Sequence, residues 1–433
     1  MEQMNRVKEL SEELFPQMLD FCQRIVRIPS EPGKEEAVAK VYLAELEALG
    51  YDKIFTDPWG NVTGIIEGTE TGPAILYNGH MDAVPAGDPS LWEGGDPYSG
   101  EIKNSLMYNK NMQREEETQV LFGRGSADLK CGAASQIYAG AILLRLRKEG
   151  FPVKGRFITS QVVLEENGEM LGTLKLLDHY DEKKIQVNAM VSCEPSSLRI
   201  ILGHRGRMEL RVTVHGKSCH GSSPWLGVNA VTKAAKLILE IEKTVWANGH
   251  ADPDLGKSGI ALTILEIEPC ELCIVPNKCT MIYDRRLVPG ETVESAIAEV
   301  QEVIDRLAAE DPDFKAEVSL NANLRRSFTG QEAWIESRKE VWKIDRGNPF
   351  VRACARGIER VGSSAEYGYW AYSTDIPALS DRGIPVIGYS GAQEFCIHTT
   401  DEKVRLDYLK ESLAGNAAIF LEAAELAESQ FHG

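Results

Sequence analysis

The sequence predicts an α/β fold with a mostly parallel central sheet, interrupted by an inserted α+β module. Apolar strand-like runs alternate with amphipathic helical runs in both outer parts of the 433-residue chain, which is typical of α/β domains. The pattern changes near residue 205 and returns after 318. Because the chain is longer than one typical domain, we expect a domain of residues 1–204 and 319–433 and an inserted domain of residues 205–318.

Helices and strands follow one another in order along the first part. Helical spacing of apolar residues predicts helices over 4–28, 35–50 and 132–150, the last two closed by glycine. Buried strands are predicted at "NVTGIIEG", "AILYN", "RFITSQVV" and "VNAMVSC". In the insertion, "GRMELRVTVHGK" alternates like a half-exposed strand, and helices are expected at 228–246 and 291–309. A buried run, "GIPVIGYSG", and a helix over 404–427 end the chain.

Composition excludes several classes of partner. The net charge of −18 repels phosphate, so we expect neither nucleic acid nor an anionic membrane as a partner. The sequence contains no run of 18 apolar residues, so we expect no membrane span. The N-terminus is charged and amphipathic and does not resemble a signal peptide. Nine cysteines, an odd number, predict reduced thiols in a cytoplasmic protein.

One group of cysteines, Cys270, Cys273 and Cys279, could begin a zinc site. A structural zinc site needs four ligands, and neither a second Cys-x-x-Cys nor a nearby histidine completes this one. We therefore favour ordinary strand cysteines here.

Acidic and imidazole side chains follow the predicted strands and turns. His80 and Asp82 end the apolar run "AILYNGHMD", and Asp128 lies in the Gly-rich turn "GRGSADLKCG". Alone, His80 could be structural and Asp128 a helix cap. In open α/β sheets, however, sites assemble at the carboxyl ends of strands. Five donors are therefore expected to converge: His80, Asp128, Glu166, Glu194 and His398.

This donor set suits two divalent metal ions. Imidazole and carboxylate without thiolate favour Zn²⁺, with Co²⁺ or Mn²⁺ as alternatives. Three carboxylates and a bridging hydroxide would neutralise two dications, so the site can be buried. Glu165 and Glu166 should point to opposite sides if they lie on a strand, one binding metal and the other serving as general base. Asp82 would orient His80.

The ordered motifs resemble those of the cocatalytic metallopeptidases and deacylases, which include aminoacylase, acetylornithine deacetylase, succinyl-diaminopimelate desuccinylase and the glutamate carboxypeptidases. The matching stretches are "GHMDAVP", "GRGSADLKCG", "EEN", "CEP", "HGSSP" and "HTTDE". Among subgroups, "GRMELRVTVHGKSCHGSSP" and "GIPVIGYSG" are most similar to the YgeY-type hydrolases linked to selenium metabolism. The resemblance implies a phosphorylase/hydrolase-like catalytic domain and a ferredoxin-like lid and dimerisation domain.

The same resemblance implies roles for individual residues. Asp128, followed by a cis peptide, would bridge the metals; His80 and Glu194 would complete one, Glu166 and His398 the other. Glu165 would be the general base. In the lid, His220 would stabilise the oxyanion, often from the partner subunit, with His204 and His215 as weaker rivals. Asn277 and Arg286 are candidates for binding substrate, although Arg286 could equally form a surface ion pair.

The expected activity is hydrolysis of the amide bond of a small N-acyl amino acid or dipeptide-like substrate by a homodimer. Two alternatives are an exopeptidase for longer peptides and a silent metal-dependent binding protein, which an intact Glu165 argues against. One departure from the family is a longer polar segment at 104–119, expected to be a solvated loop that edges the cleft.

Overall fold

The computed structural model describes residues 1–431. The helices are α1 (Glu2–Val26), α2 (Glu36–Leu49), α3 (Cys131–Lys148), α4 (Glu165–Gly168), α5 (Leu171–Lys183), α6 (Ala230–Asn248), α7 (Val293–Glu310), α8 (Pro349–Arg360), α9 (Pro377–Ser380) and α10 (Leu406–Ala423). The strands are β1 (Lys53–Thr56), β2 (Val62–Glu67), β3 (Glu70–His80), β4 (Glu101–Asn109), β5 (Arg114–Phe122), β6 (Lys154–Val162), β7 (Ala189–Ser192), β8 (Arg199–His204), β9 (Gly206–His215), β10 (Ala251–Asp252), β11 (Gly256–Lys257), β12 (Gly259–Glu268), β13 (Lys278–Leu287), β14 (Lys315–Leu320), β15 (Ala322–Arg326), β16 (Glu332–Glu336), β17 (Arg338–Lys339), β18 (Trp342–Lys343), β19 (Glu366–Trp370), β20 (Val386–Gly388) and β21 (Lys403–Arg405).

The largest sheet has the order β1-β2-β6-β3-β7-β20-β8-β18, with β19 beside β8. Its centre is parallel, since β6, β3, β7 and β20 pair in parallel. At the margins, β2 and β18 pair antiparallel with their neighbours, and β19 pairs in parallel with β8. This arrangement confirms the predicted α/β class with a mostly parallel central sheet.

Helices cover both faces of this sheet because alternate strand residues point to opposite sides. Ile75 and Tyr77 of β3 pack with the apolar residues of α1, α3, α8 and α10. Leu76, between them, packs on the other face with Leu176 and Tyr180 of α5. A strand buried on both faces needs a continuous apolar run, which is what "AILYN" supplies.

A second sheet, β12-β13-β9-β14 with β17 beside β9, has its own core. Met208, Leu210 and Val212 of β9 pack against α6 and α7. The residues that alternate with them along β9, including Arg207 and Glu209, are only partly buried and are not part of this core. One face of the second sheet is therefore apolar and covered by helices, and the other is polar.

The predicted loop at 104–119 is wrong, because these residues form most of a β-hairpin of β4 and β5. Strand β21 pairs with β5 and extends the hairpin into a small sheet. The charges of Glu115 and Glu117 suggested a loop, but β5 alternates in exposure and ends in the buried run Val120–Phe122. No helix among residues 1–431 is long and apolar enough to cross a bilayer.

Candidate metal centre

The carboxyl ends of neighbouring parallel strands meet at one edge of the large sheet. His80 is the last residue of β3, Glu194 lies just beyond β7, and Glu165 and Glu166 follow β6. Because β6 and β7 both run parallel to β3, side chains from distant parts of the chain arrive at the same place.

Asp128 lies between two histidines, with one carboxylate oxygen near each. Its Oδ1 is 3.2 Å from Nε2 of His80, and its Oδ2 is 3.1 Å from Nε2 of His398. Nε2 of His398 is also 3.2 Å from Oε2 of Glu166, and Nε2 of His80 is 3.7 Å from Oε1 of Glu194. The structure thus brings the five predicted ligands together in two groups that share Asp128.

A buried carboxylate holds the turn that carries Asp128. Glu402 accepts hydrogen bonds from the backbone N–H groups of Ala127 and Asp128, each at 3.0 Å. The guanidinium of Arg124 donates to the same carboxylate at 2.5 Å. The Asp128–Leu129 peptide is cis, as the resemblance implies.

The cluster brings three carboxylates around two imidazoles. Burial raises the pKa of Glu194, and the charge of Asp128 raises it further. The same two causes raise the pKa of Glu166 to about 7. Hydrogen bonds to Asp128 and Glu166 raise the pKa of His398 to about 11. Burial alone would lower the pKa of His80, but its hydrogen bond to Asp128 and the surrounding carboxylates raise it. Buried carboxylates in such a group call for a cation.

The donor chemistry fits divalent metal ions. His80, Asp128 and Glu166 offer ligand atoms within 4.8 Å of one another, as do His80, Glu165 and Glu194. Oε1 of Glu166 is buried and has no hydrogen-bond partner among residues 1–431. Imidazole and carboxylate oxygens of this kind are ligands of zinc and related ions.

The predicted contact between Asp82 and His80 needs a correction. Nδ1 of His80 is 2.9 Å from the backbone carbonyl of Asp82 and 3.6 Å from its Oδ1. The carboxylate of Asp82 instead accepts hydrogen bonds from the backbone N–H groups of Glu165 and Glu166, at 3.1 and 2.9 Å. Asp82 therefore positions both glutamates, while its peptide oxygen orients His80.

The expectation that Glu165 and Glu166 lie on a strand is wrong, because they begin the one-turn helix α4. Glu165 is buried, and its Oε1 is 2.5 Å from Nζ of Lys339, which also lies 3.6 Å from Oδ1 of Asp375. Burial would lower the pKa of Lys339, but these two carboxylates raise it. Lys339 is therefore a charged partner of Glu165.

A cavity of about 350 Å³ opens over the cluster, between the two large sheets. Its lining combines Asp128, Glu165 and His398 with side chains of the second sheet. Arg207 of β9 is 3.1 Å from Glu169, which ties the second sheet to the segment after α4. The polar face of β9 thus becomes a wall of the cavity.

The structure does not bring the predicted lid residues to this cavity within one chain. His220 is exposed, and its Nδ1 is 2.7 Å from Oγ of Ser222. Asn277 precedes β13, and Arg286 pairs with Asp284 at 2.6 Å. None of the three predicted lid residues lines the cavity.

The rival histidines and the cysteines do not join the cluster either. His204 is buried, and burial lowers its pKa to about 3. His215 is exposed and 3.1 Å from Glu317. All nine cysteines are free, with Cys279 buried in β13.

Sequence reasoning missed Lys339, Arg207 and Arg325, which line the cavity, and gave Glu402 no role. Lys339 lies in the charged stretch "ESRKEVWKID", where nothing local separates it from a surface lysine. For Glu402 a signal existed, since it ends the quoted motif "HTTDE".

This fold and cluster define a class, the metallopeptidases that carry a dimerisation domain in the middle of the chain. Residues 202–312 match the model of the peptidase dimerisation domain M20_dimer. The chain is 30% identical over 416 residues to the uncharacterized protein YgeY of Escherichia coli K12. The aligned region covers 95% of this chain and 96% of YgeY. The chain therefore belongs to the M20 metallopeptidase family, together with YgeY, and is a peptidase-type hydrolase.

Solved structures share the whole fold. Aminopeptidase PepT of Bacillus cereus matches with a TM-score of 0.69 and 21% identity, over 95% of this chain and 99% of PepT. Human carnosine dipeptidase 1 matches with a TM-score of 0.65 and 17% identity, over 98% of this chain and 100% of the dipeptidase. YxeP of Bacillus subtilis is a dinuclear metal binding peptidase of the M20 family. It matches with a TM-score of 0.66 and 16% identity, over 95% of this chain and 99% of YxeP.

Proposed function

We propose that the protein uses two divalent cations to hydrolyse the amide bond of a small N-acyl amino acid or dipeptide-like substrate. Zn²⁺ is the preferred candidate for both cations, and Co²⁺ and Mn²⁺ are the alternatives. The observation that carries the proposal is the placement of Asp128, whose two oxygens lie 3.2 and 3.1 Å from two histidines. A carboxylate so placed suits a shared ligand of two cations.

The proposed ligand sets follow the two groups of contacts. His80 and Glu194 would hold one cation, Glu166 and His398 the other, and Asp128 both. Bound cations would polarise the substrate carbonyl and make water a better nucleophile. Asp82 would keep Glu165 and Glu166 in place through their backbone N–H groups.

Glu165 is the proposed general base. It lines the cavity beside the ligands. Its carboxylate lies within 4.8 Å of ligand atoms of His80 and Glu194, but its contact with Lys339 favours a role outside both proposed ligand sets. It would take a proton from the attacking water and deliver it to the leaving amine. Lys339 contacts Oε1 of Glu165, so this ion pair holds the carboxylate in position beside the proposed ligands.

We further propose that residues 205–318 form a lid and dimerisation domain of a homodimer. Trp246, Ile264 and Leu265 lie in the second domain and are at least 48% exposed, which supports an apolar contact with another chain. His220, which is exposed and does not line its own chain's cavity, would then donate a hydrogen bond to the carbonyl oxygen in the partner's site. Asn277 and Arg286 are proposed to contact substrate in the same way.

The test of this function is Glu165→Gln. The variant should lose roughly 10²–10⁴-fold in kcat, because it cannot accept the proton, while elemental analysis still finds two metal ions per chain. Activity is measured on N-acetyl, N-succinyl, N-carbamoyl and dipeptide substrates with added zinc, cobalt or manganese. The matched control is Glu182→Gln, an exposed carboxylate in α5, which should keep native activity.

Near-native turnover of Glu165→Gln would show that another group is the base. A metal content well below two in the native chain would instead reject the dinuclear site.

A further inference from the structure

A second cavity lies next to the metal cavity and shares one wall with it. It measures about 620 Å³, and Tyr372 lines both cavities. The hydroxyl of Tyr372 donates to the carbonyl of Pro195 at 3.0 Å, and its ring stacks on Trp370 with centroids 5.7 Å apart. The shared wall is therefore a fixed aromatic side chain. Nothing in the metal chemistry proposed above uses the second cavity.

The outer wall of this cavity comes from the tip of the β4–β5 hairpin, the segment that departs from the family pattern. Tyr108, Lys110 and Gln113 line it from the hairpin. Tyr369 and Phe395 line it from the other side, and Phe395 lies three residues before His398. Tyr108 is 42% exposed and Phe395 56% exposed, so both rings offer free surface to a ligand.

The hairpin tip is held in place by the body of the domain. The carbonyl of Tyr108 accepts hydrogen bonds from Gln393 at 2.9 Å and from Arg405 at 3.3 Å. The backbone N–H of Lys110 donates to the hydroxyl of Tyr408 at 2.8 Å. These bonds place the wall before any ligand arrives, which lowers the entropic cost of binding.

The charges around the cavity are unequally satisfied. Arg199 pairs with Glu394 at 2.5 Å. The side chain of Lys110 is only 12% exposed, yet its Nζ lies 3.5 Å from the carbonyl of Leu198 and 3.7 Å from Glu366. An ammonium group has three hydrogens to donate, and these long contacts leave it short of acceptors. Burial also lowers the pKa of Lys110, which a bound carboxylate would offset.

We propose that this cavity binds an aromatic amino-acid residue of the substrate, with the ring against Tyr108 and Phe395 and the carboxylate at Lys110. The inference rests on the proposed function, because the scissile amide must reach the metal cavity at the edge of Tyr372, the residue that lines both cavities. Ring-to-ring contact supplies apolar burial and a preferred geometry, and the ammonium group supplies a charge-assisted hydrogen bond.

The first test compares glycine with phenylalanine in the acylated form that the native enzyme hydrolyses best. The native enzyme should prefer the phenylalanine substrate in kcat/KM, and Tyr108→Ala should reduce that preference roughly tenfold. Leu106→Ala is the matched control, since Leu106 is 62% exposed on the same strand and does not line the cavity. Tyr108→Phe should restore the preference, which separates loss of the ring from misfolding.

The second test concerns Lys110. The Lys110→Gln variant should raise KM for the phenylalanine substrate roughly tenfold, because it removes the charge that meets the carboxylate. It should leave the corresponding phenylalanine amide unchanged. Equal effects on acid and amide would overturn the assignment of Lys110.

A binding experiment separates this inference from the proposed function. Calorimetry with metal-loaded protein should detect phenylalanine binding that is weakened by Tyr108→Ala and not by Leu106→Ala, and much weaker binding of glycine. If this holds while no acylated substrate is hydrolysed, the proposed function fails and the cavity assignment stands. If amides are hydrolysed but phenylalanine binds no better than glycine, the cavity assignment is overturned.

Discussion

Glu402 links the metal cluster to the stability of the domain at the scale of single residues. It is fully buried and pairs with Arg124, which is also buried. It accepts hydrogen bonds from the backbone N–H groups of Ala127 and Asp128. We expect Glu402→Gln to lower the free energy of unfolding by about 3–5 kcal/mol, because Arg124 would remain buried without a counter-charge. Urea unfolding of metal-free protein, followed by circular dichroism, measures the change.

The control for Glu402 is an exposed ion pair. Glu268 and Lys278 are 2.9 Å apart with side chains 64% and 40% exposed. The Glu268→Gln variant should change stability by less than about 1 kcal/mol. Equal effects of the two substitutions would mean that burial of the Arg124–Glu402 pair has no energetic consequence.

The ligand candidates could be predicted from sequence because each follows a strong local signal. His80 and Glu194 end apolar runs, and Asp128 lies in a glycine-rich turn before a helix. Lys339 could not be predicted, since its partner Glu165 is 174 residues away and no local pattern announces the contact. The hydrogen bonds of Asp82 were misassigned for a related reason, as the backbone of α4 competes with His80 for its carboxylate.

At the scale of elements, α8 and α10 pack so closely that one position requires glycine. A Cβ atom on Gly357 of α8 would lie 2.6 Å from the carbonyl oxygen of Ala418 and 2.8 Å from the amide nitrogen of Ile419. Both contacts are with backbone, which cannot rotate away. The Gly357→Ala variant should therefore force the helices apart and cost about 1–3 kcal/mol, despite the higher helix propensity of alanine.

Thermal unfolding of Gly357→Ala is best compared with Glu359→Ala, an exposed position in the same helix. The control should shift stability by no more than about 0.5 kcal/mol. A neutral or stabilising Gly357→Ala would show that the two helices do not pack as closely as the structure has them.

The hairpin was the element least accessible from sequence. Its strands carry charged and polar residues on the exposed face, as in "REEETQ", and such a run is typical of loops. What fixes it as a strand is tertiary pairing with β21 and the hydrogen bonds of Gln393 and Arg405 to Tyr108. Six helices, α1, α2, α3, α6, α7 and α10, were in contrast predicted from apolar spacing that is contained within each segment, whereas α5 and α8 were not predicted.

At the scale of the whole molecule, the proposed homodimer makes a prediction that no single chain can satisfy. His220 lies outside the cavity of its own chain, whereas Glu165 lines it. Glu165→Gln and His220→Ala should each be nearly inactive alone. In a symmetric dimer, residues that meet across the interface do so twice. A mixed dimer would then contain one site with both Glu165 and His220 intact.

Equal mixing and full subunit exchange should therefore restore about a quarter of the native activity per chain, since half of the dimers are mixed and each has one working site. Mixing Glu165→Gln with Asp128→Asn is the control, because both residues belong to the same chain's site and no combination repairs it. Sedimentation establishes that the mixed species are dimers. Dimers that exchange subunits and regain no activity would place His220 within its own chain's site, since then every mixed site still carries one defect. A His220→Ala variant that is active alone would place His220 outside catalysis.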